Sequence, residues 1–168
     1  MIHLAVRLNG SGLIGDIVNI FTKSKSSHVG LVFTDGTSLE VTPEFVGLRD
    51  DATYDFYNWT LIPCPFLSYQ DEQKIKAELD EILAKHPKYD YLGAISGVFG
   101  SYRQDDSEWY CSELVARLLE DYIPEFQSDR NKHKWITPET VWKVVADKVA
   151  EYNPEWLKQW KFRFNKNA

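Results

Sequence analysis

The sequence predicts an α+β protein with a small, mostly antiparallel sheet packed against helices, and two kinds of pattern indicate it. Short runs that alternate apolar and polar residues between turn residues are typical of strands, and "MIHLAVRL" is the first of them. Longer segments repeat apolar residues every three or four positions, which is typical of amphipathic helices. A chain of 168 residues can bury one core, so we expect residues 1–168 to form a single domain.

The strands are predicted mainly in the first half of the chain. "HVGLVF" and "SLEVT" flank the turn sequence "TDGT", which predicts a hairpin, and "NWTLIPCPF" predicts a strand ended by prolines. "GLIGDIVNIFTKSK" begins with glycines and becomes apolar, which predicts a short helix or a turn that leads into one. The tail "QWKFRFN" alternates aromatic with polar residues and predicts a final strand.

Four further segments predict helices. "SYQDEQKIKAELDEILAKH" is the clearest, and its apolar stripe consists of Ile75, Leu79, Ile82 and Leu83. "YDYLGAISGVFG" is apolar and predicts a buried helix. "SEWYCSELVARLLEDYI" predicts another, with Ser107 as its N-cap. "TPETVWKVVADKVA" predicts the last, with Thr137 as N-cap and Pro138 at the first helical position.

Composition and charge argue against several classes of protein. A net charge of −6 does not provide the basic surface that nucleic-acid binding needs. The N-terminus lacks the pattern of a signal peptide, and no apolar stretch approaches the roughly 20 residues of an integral membrane segment. The four histidines are scattered and no CxxC or HExxH spacing occurs, so neither a metal nor another cofactor is expected. Two cysteines cannot form a disulfide framework, and we expect a reducing compartment, the cytoplasm.

The stretch "EWYCSELVARLLEDY" places Cys111 in the first turns of a predicted helix. There the helix dipole lowers a thiol pKa, and free backbone N–H groups can hold an oxyanion. Cys111 also lies on the apolar face that the helix presents to the core, which consists of Leu114, Val115, Leu118 and Leu119. The position therefore suits either a nucleophile or a packed hydrophobe, as free cysteines usually are. Cys64, between two prolines and without a nearby histidine or helix start, is expected to be structural.

A histidine and an acid lie on the two strands of the predicted hairpin. His28 begins the first strand and lies on the face opposite Val29, Leu31 and Phe33. It can be a surface histidine at a strand end or a base. Glu40 lies between two apolar residues of the second strand, and a carboxylate in such a place needs a partner.

The length of the hairpin loop decides whether these two side chains can meet. A two-residue turn at Asp35-Gly36 would place His28 and Glu40 on opposite faces, because a shift of one residue reverses every side chain. A three-residue loop, with a left-handed glycine in its last position, would pair Phe33 with Thr37. His28 and Glu40 would then be diagonal neighbours on one face. A catalytic role for His28 therefore predicts the odd-numbered loop.

Five segments in a fixed order carry a family resemblance. They are "GDIV" at 15–18, "SHVGLVF" at 27–33, "LEVTPEFVGL" at 39–48, "YDYLG" at 89–93 and "WYCSELV" at 109–115. In this order the chain resembles the circularly permuted NlpC-like cysteine hydrolases of the papain fold, in their YiiX-like branch. The resemblance covers about residues 15–115 and implies a permuted papain-like fold, in which the histidine precedes the cysteine along the chain.

The resemblance also implies roles for individual residues. Cys111 is expected to be the nucleophile, His28 the base that takes its proton, and Glu40 the residue that orients the imidazole. The backbone N–H of Cys111 is expected to stabilise the oxyanion. Tyr89 and Tyr110 are expected to line the cleft and contact the substrate.

The implied activity is that of a cysteine hydrolase, an amidase or peptidase that cleaves an amide bond through an acyl-enzyme. The expected substrate is a small amide, peptide or acyl compound, with peptidoglycan peptides as one candidate. Two alternatives stay open: an acyltransferase or lipid/thioester hydrolase with the same triad, and a catalytically silent binding module. A cytoplasmic wall hydrolase would have to reach its substrate by lysis or by a specialised export route.

Overall fold

The structure, a computed structural model, describes residues 1–8, 26–50, 59–96, 107–131 and 136–155. The elements in these segments are β1 (His3–Leu8), β2 (Ser26–Val32), β3 (Ser38–Thr42), β4 (Phe45–Arg49), β5 (Trp59–Pro63), α1 (Tyr69–Leu83), β6 (Lys88–Tyr89), α2 (Tyr91–Ser96), β7 (Glu108–Trp109), α3 (Cys111–Leu119), α4 (Pro124–Asn131) and α5 (Pro138–Tyr152). The helix or turn predicted at residues 12–25 and the strand predicted at residues 159–165 lie outside the described residues.

A five-stranded antiparallel sheet in the order β4-β3-β2-β1-β5 packs against helices, which confirms the predicted α+β class. Helices α3 and α5 lie against β2, the central strand. Two very short strands, β6 and β7, pair in parallel as a separate ladder.

The hairpin between β2 and β3 has the predicted three-residue loop. The N–H of Phe33 donates to the carbonyl of Thr37 at 2.9 Å, and the N–H of Gly36 donates back to the Phe33 carbonyl at 3.1 Å. Gly36 closes the loop with a φ of +88°, a left-handed conformation that glycine adopts without strain. Val32 then pairs with Ser38, as the odd-numbered loop requires.

This register places His28 and Glu40 on the same face of the sheet, as predicted. Leu31 pairs with Leu39, and both side chains are fully buried on one face. His28 and Glu40 are three and one positions away from that pair, so both point to the other face. The ladder between β2 and β3 ends at Leu31, however, and does not continue to Gly30. The two strands therefore separate where His28 and Glu40 lie.

The core lies between one face of the sheet and the helices. Alternation along the strands sends one set of side chains into it, and each of these is almost completely buried: Leu4, Val6, Val29, Leu31, Leu39, Val41 and Ile62. The helices contribute the other half of this cluster, which includes Ile75, Leu79, Leu114, Val115, Leu118, Leu119, Val141 and Val145. The apolar stripes predicted for α1 and α3 therefore lie in this core, and burial of their side chains stabilises the fold.

Two helix predictions need correction. The cysteine helix α3 begins at Cys111 with Tyr110 as its N-cap, three residues after the predicted cap Ser107. The intervening residues form β7 instead, because their backbone groups pair with β6. The segment "YDYLGAISGVFG" was predicted as a buried helix, but Tyr91 and Leu92 of α2 are 52% and 75% exposed.

Candidate active site around Cys111

The β6–β7 ladder brings the starts of two helices together. Lys88 pairs with Glu108 and Tyr89 with Trp109, and each strand runs directly into a helix. Since parallel strands run in the same direction, α2 and α3 begin side by side. Cys111 is the first residue of α3, where backbone N–H groups have no partner within the helix.

A glycine allows the two helix starts to approach closely. Asp90 accepts a hydrogen bond from the N–H of Gly93 at 2.6 Å and so holds the first turn of α2. A Cβ at Gly93 would lie 1.9 Å from Asp90 Oδ2 and 3.1 Å from Cδ1 of Tyr110. Gly93 therefore leaves the space that the Asp90 carboxylate and the Tyr110 ring occupy, directly beside Cys111.

Backbone N–H groups surround the sulfur of Cys111. Burial raises the pKa of the thiol, while hydrogen bonds from the N–H groups of Val29, Ser112 and Cys111 itself act in the opposite direction. Burial has the larger effect, so the thiol is protonated at neutral pH. The sequence had predicted a lowered pKa from the helix dipole, and that prediction was wrong because it left out desolvation.

The N–H of Val29 reaches the sulfur because the hairpin has opened. Along a strand the N–H groups alternate between the two neighbouring strands, so Val29, like Phe33, directs its N–H toward β3. The β2–β3 ladder ends at Leu31, which leaves this N–H available to Cys111. The sulfur thus contacts the peptide group that joins His28 to Val29, at the separation of the two strands.

His28 is held from the side of β1 and β5. Its ring lies 5.7 Å from that of Trp59 in an edge-on arrangement, with 79° between the two planes. Burial, and then the nearby guanidinium of Arg7, lower the pKa of His28 to about 4. The imidazole is therefore neutral at physiological pH and has a lone pair that can accept a proton.

Glu40 contacts β4 rather than the imidazole. Its Oε2 lies 2.7 Å from Nε of Arg49, a diagonal neighbour in the β3–β4 ladder. Among the described residues, neither Glu40 nor Cys111 makes a hydrogen bond to the His28 ring. The structure therefore places His28 and Glu40 on one face of the sheet and Cys111 at the helix-covered face, near the point where the strands part, without joining them in a hydrogen-bonded chain.

Tyr89 and Tyr110 flank Cys111 on either side of the β6–β7 ladder. Tyr89 is partly buried, and burial followed by the neighbouring Cys111 raises the pKa of its hydroxyl. Its ring meets that of Tyr91 at 5.0 Å. Tyr110 is buried, with its ring against α2. Their contact with a substrate stays a prediction.

Ser112, Arg7 and Trp59 are site neighbours that sequence reasoning missed. The Ser112 hydroxyl donates to the carbonyl of Ile136 at 2.7 Å, which ties the start of α3 to the chain just before α5. Because Ser112 directly follows Cys111, its place next to the cysteine was the only sequence signal that it belongs to the site. The contacts of Arg7 and Trp59 depend on strand pairings between distant parts of the chain, which no local pattern reveals.

No protein-family model matches this chain, and a search of curated proteins finds no match. Over the described ranges, no helix is both long and apolar enough to span a membrane. The same residues contain no group of three or more His, Cys, Asp or Glu side chains arranged to hold a metal ion.

Proposed function

We propose that this protein is a cysteine hydrolase of the amidase or peptidase type, in which Cys111 forms an acyl-enzyme. The observation that carries the proposal is the place of Cys111 as the first residue of α3, where the N–H groups of Val29, Ser112 and Cys111 itself and the Ser112 hydroxyl act to lower the pKa of the thiol. Such groups stabilise negative charge on a thiolate or on the oxygen of a tetrahedral intermediate. The five-segment resemblance to permuted NlpC-like hydrolases of the papain fold supports the same proposal.

The chemistry that we propose starts from a neutral pair. Cys111 attacks the substrate carbonyl while its thiol proton passes to the neutral imidazole of His28. The S–C bond forms, the carbonyl becomes an oxyanion beside the backbone N–H groups, and the C–N bond then breaks as His28 protonates the leaving amine. Water, deprotonated by His28, hydrolyses the thioester and restores the thiol. This requires the His28 ring to turn from Trp59 toward the sulfur, since catalytic hydrogen bonds often form only with substrate bound.

We propose that Glu40 orients the imidazole in that turned position. The shared face supports this role, because the side chains of His28 and Glu40 project to the same side of β2 and β3. The ion pair with Arg49 limits the rotation of the carboxylate. A Glu40→Gln variant would keep the shape of the side chain but lose the charge that stabilises the imidazolium.

Peptidoglycan peptides and related small amides are the substrates that we propose, from the resemblance. An acyltransferase or lipid/thioester hydrolase would use the same first step and differ in the acyl group or in its acceptor. Intact-mass spectrometry after incubation with amide, ester and thioester donors would identify the trapped acyl group. A stable adduct that water does not remove, but an amine or alcohol acceptor does, would favour the acyltransferase.

Iodoacetamide labelling distinguishes the hydrolase from a silent binding module. We expect Cys111 to react at neutral pH much faster than Cys64, which is fully buried and whose pKa burial raises to about 12. The His28→Ala variant should slow labelling of Cys111 by about tenfold or more, because the base is lost. A matched control is His86→Ala, which removes an exposed histidine outside the site. Equal rates in both variants would favour the module.

A further inference from the structure

Arg7 occupies a position next to both His28 and Trp59. In the β1–β2 ladder Arg7 pairs with His28, and in the β1–β5 ladder it pairs with Trp59. Directly paired residues send their side chains to the same face, so the three form one row across three strands. This is the face that also carries Glu40.

The two rings of this row meet above the arginine. His28 and Trp59 lie two strands apart, about 9.6 Å between backbones, yet their ring centroids are only 5.7 Å apart. Both rings must therefore lean inward over β1. The guanidinium carbon of Arg7 lies 5.9 Å from the Trp59 ring, within cation–π distance. The indole is thus in contact with the cation and with the imidazole together.

We infer that Arg7 and Trp59 are positioning residues for His28, which pack against its imidazole in the resting state and limit the positions from which the ring turns toward Cys111. The inference rests on the proposed function and adds two residues to it. Because the β2–β3 ladder ends at Leu31, β1 is the strand that holds β2 at His28. The row across β1 and β5 therefore fixes the base on the side where β2 is still paired, at the last regular pair before the register shift that follows Arg7.

Burial and then the charge of Arg7 favour the neutral form of His28. Arg7 faces it from β1, and His3 lies on the same face four residues earlier. From the other side come Glu40 of β3 and its partner Arg49 of β4. Trp59 of β5 adds an uncharged ring, which excludes water from one side of the imidazole. A cation beside a base disfavours its protonation, so Arg7 keeps the lone pair of His28 available at mildly acidic pH.

The first test is an NMR titration of the His28 ring, assigned by comparison with His28→Gln. Arg7→Gln should raise the pKa of His28 by about half a unit to one unit, because a neighbouring cation is removed. Arg7→Lys should keep the wild-type value. The matched control Lys76→Gln removes one positive charge at the hairpin loop, beside Phe33 and Asp35, and should have no effect. An unchanged pKa in Arg7→Gln would overturn the role of the arginine.

The second test replaces Trp59 and measures the rate of iodoacetamide labelling of Cys111 as a function of pH. Trp59→Phe keeps an aromatic ring and should retain at least half of the wild-type rate, whereas Trp59→Ala should slow it by about tenfold. Folding of each variant is checked by its urea midpoint. A folded Trp59→Ala variant that labels Cys111 at the wild-type rate would overturn the role of the indole. This outcome does not depend on whether the Arg7 variants fold.

The two proposals fail in different ways. If labelling of Cys111 does not depend on His28 in the wild-type background, the proposed hydrolase is wrong whatever Arg7 and Trp59 do. If labelling depends on His28 but is insensitive to Trp59→Ala, and the titration is insensitive to Arg7→Gln, only the positioning inference is wrong.

Discussion

The two cysteines of this chain differ in what surrounds the sulfur. Both are free and buried. Cys64 lies between two prolines, donates a long hydrogen bond of 3.7 Å to the carbonyl of Ile62, and has one backbone N–H, that of Leu4, beside its sulfur. Cys111 instead faces the N–H groups of Val29 and of its own helix start. Both side chains are buried, so the larger number of donors around its sulfur and its place at a helix start distinguish Cys111 as the candidate nucleophile.

Part of the site could be predicted from the sequence, because it depends on local geometry. The shared face of His28 and Glu40 follows from the parity of a short loop, and the position of Cys111 at a helix start follows from the apolar period that comes after it. The raised thiol pKa could not be predicted, since desolvation depends on what the whole fold places around the sulfur. The contacts of Trp59 likewise need the pairing of β1 with β5.

The lowered pKa of His28 has a consequence for stability. Its folded value of about 4 lies below the ordinary value of 6.5, so the unfolded chain binds the proton more readily. Stability is therefore independent of this group above about pH 6.5 and falls as the pH drops toward 4. We expect wild type to lose about 1 to 2 kcal/mol of unfolding free energy from this group between pH 7 and pH 5.

Urea unfolding at the two pH values measures this loss, with His28→Gln as the comparison. The variant should lose less, although His3, whose pKa burial also lowers, remains in both proteins. Asp35 does not interfere, because the hydrogen bond from Lys76 lowers its pKa to about 2 and its effect comes at more acidic pH. Equal losses in wild type and variant would show that His28 titrates normally.

At the scale of elements, the hairpin sets the register on which the site depends. Gly36 has a φ of +88°, and a Cβ there would meet no atom within 4 Å. Any cost of substitution is therefore backbone strain alone. We expect Gly36→Ala to lower the unfolding free energy by about 1 kcal/mol and Gly36→Asn to lower it less, since asparagine tolerates this conformation. Urea midpoints at constant m-value measure both, and a neutral Gly36→Ala would contradict the strained loop.

The close approach of α2 and α3 depends on Gly93. We expect Gly93→Ala to lower the unfolding free energy by about 1–3 kcal/mol, because the new methyl group would overlap the Asp90 carboxylate. A double-mutant cycle with Asp90→Ala isolates the contact. The alanine at position 93 should cost less once the carboxylate is gone. Costs that simply add would mean that the two side chains do not compete for the same space.

Helix prediction succeeded where capping is local and failed where it is not. Helix α5 has Thr137 as its N-cap, whose hydroxyl accepts from the N–H of Thr140 at 3.0 Å, with Pro138 at the first position, as predicted. The start of α3 was predicted too early, because Glu108 and Trp109 pair with residues 20 positions away. A strand partner so distant in sequence leaves no local signal near residues 108 and 109, so the sequence places the start of α3 too early.

At the scale of the whole molecule, the described strands of the sheet pair regularly except at two places, the register shift between Arg7 and Leu8 and the end of the β2–β3 ladder. Strands β1, β2 and β5 pair along most of their length, whereas β2 and β3 share only the pairs next to their loop. The start of α3 lies against β2 and β3, and the opposite face carries His28 and Glu40. The proposed site therefore lies where β2 and β3 separate. Cys111 approaches this place from the helix layer, and His28 approaches it from the opposite face of the sheet.

The most direct test of the account is acylation of Cys111 by an activated ester, followed by intact-mass spectrometry. With p-nitrophenyl acetate at neutral pH, we expect one acetyl group on Cys111, seen in wild type and in Cys64→Ala. The adduct should be absent in Cys111→Ala and should form about a hundredfold more slowly in His28→Ala, the loss that removal of a general base produces. An adduct that forms at the same rate without His28, or no adduct on Cys111, would contradict the proposed chemistry.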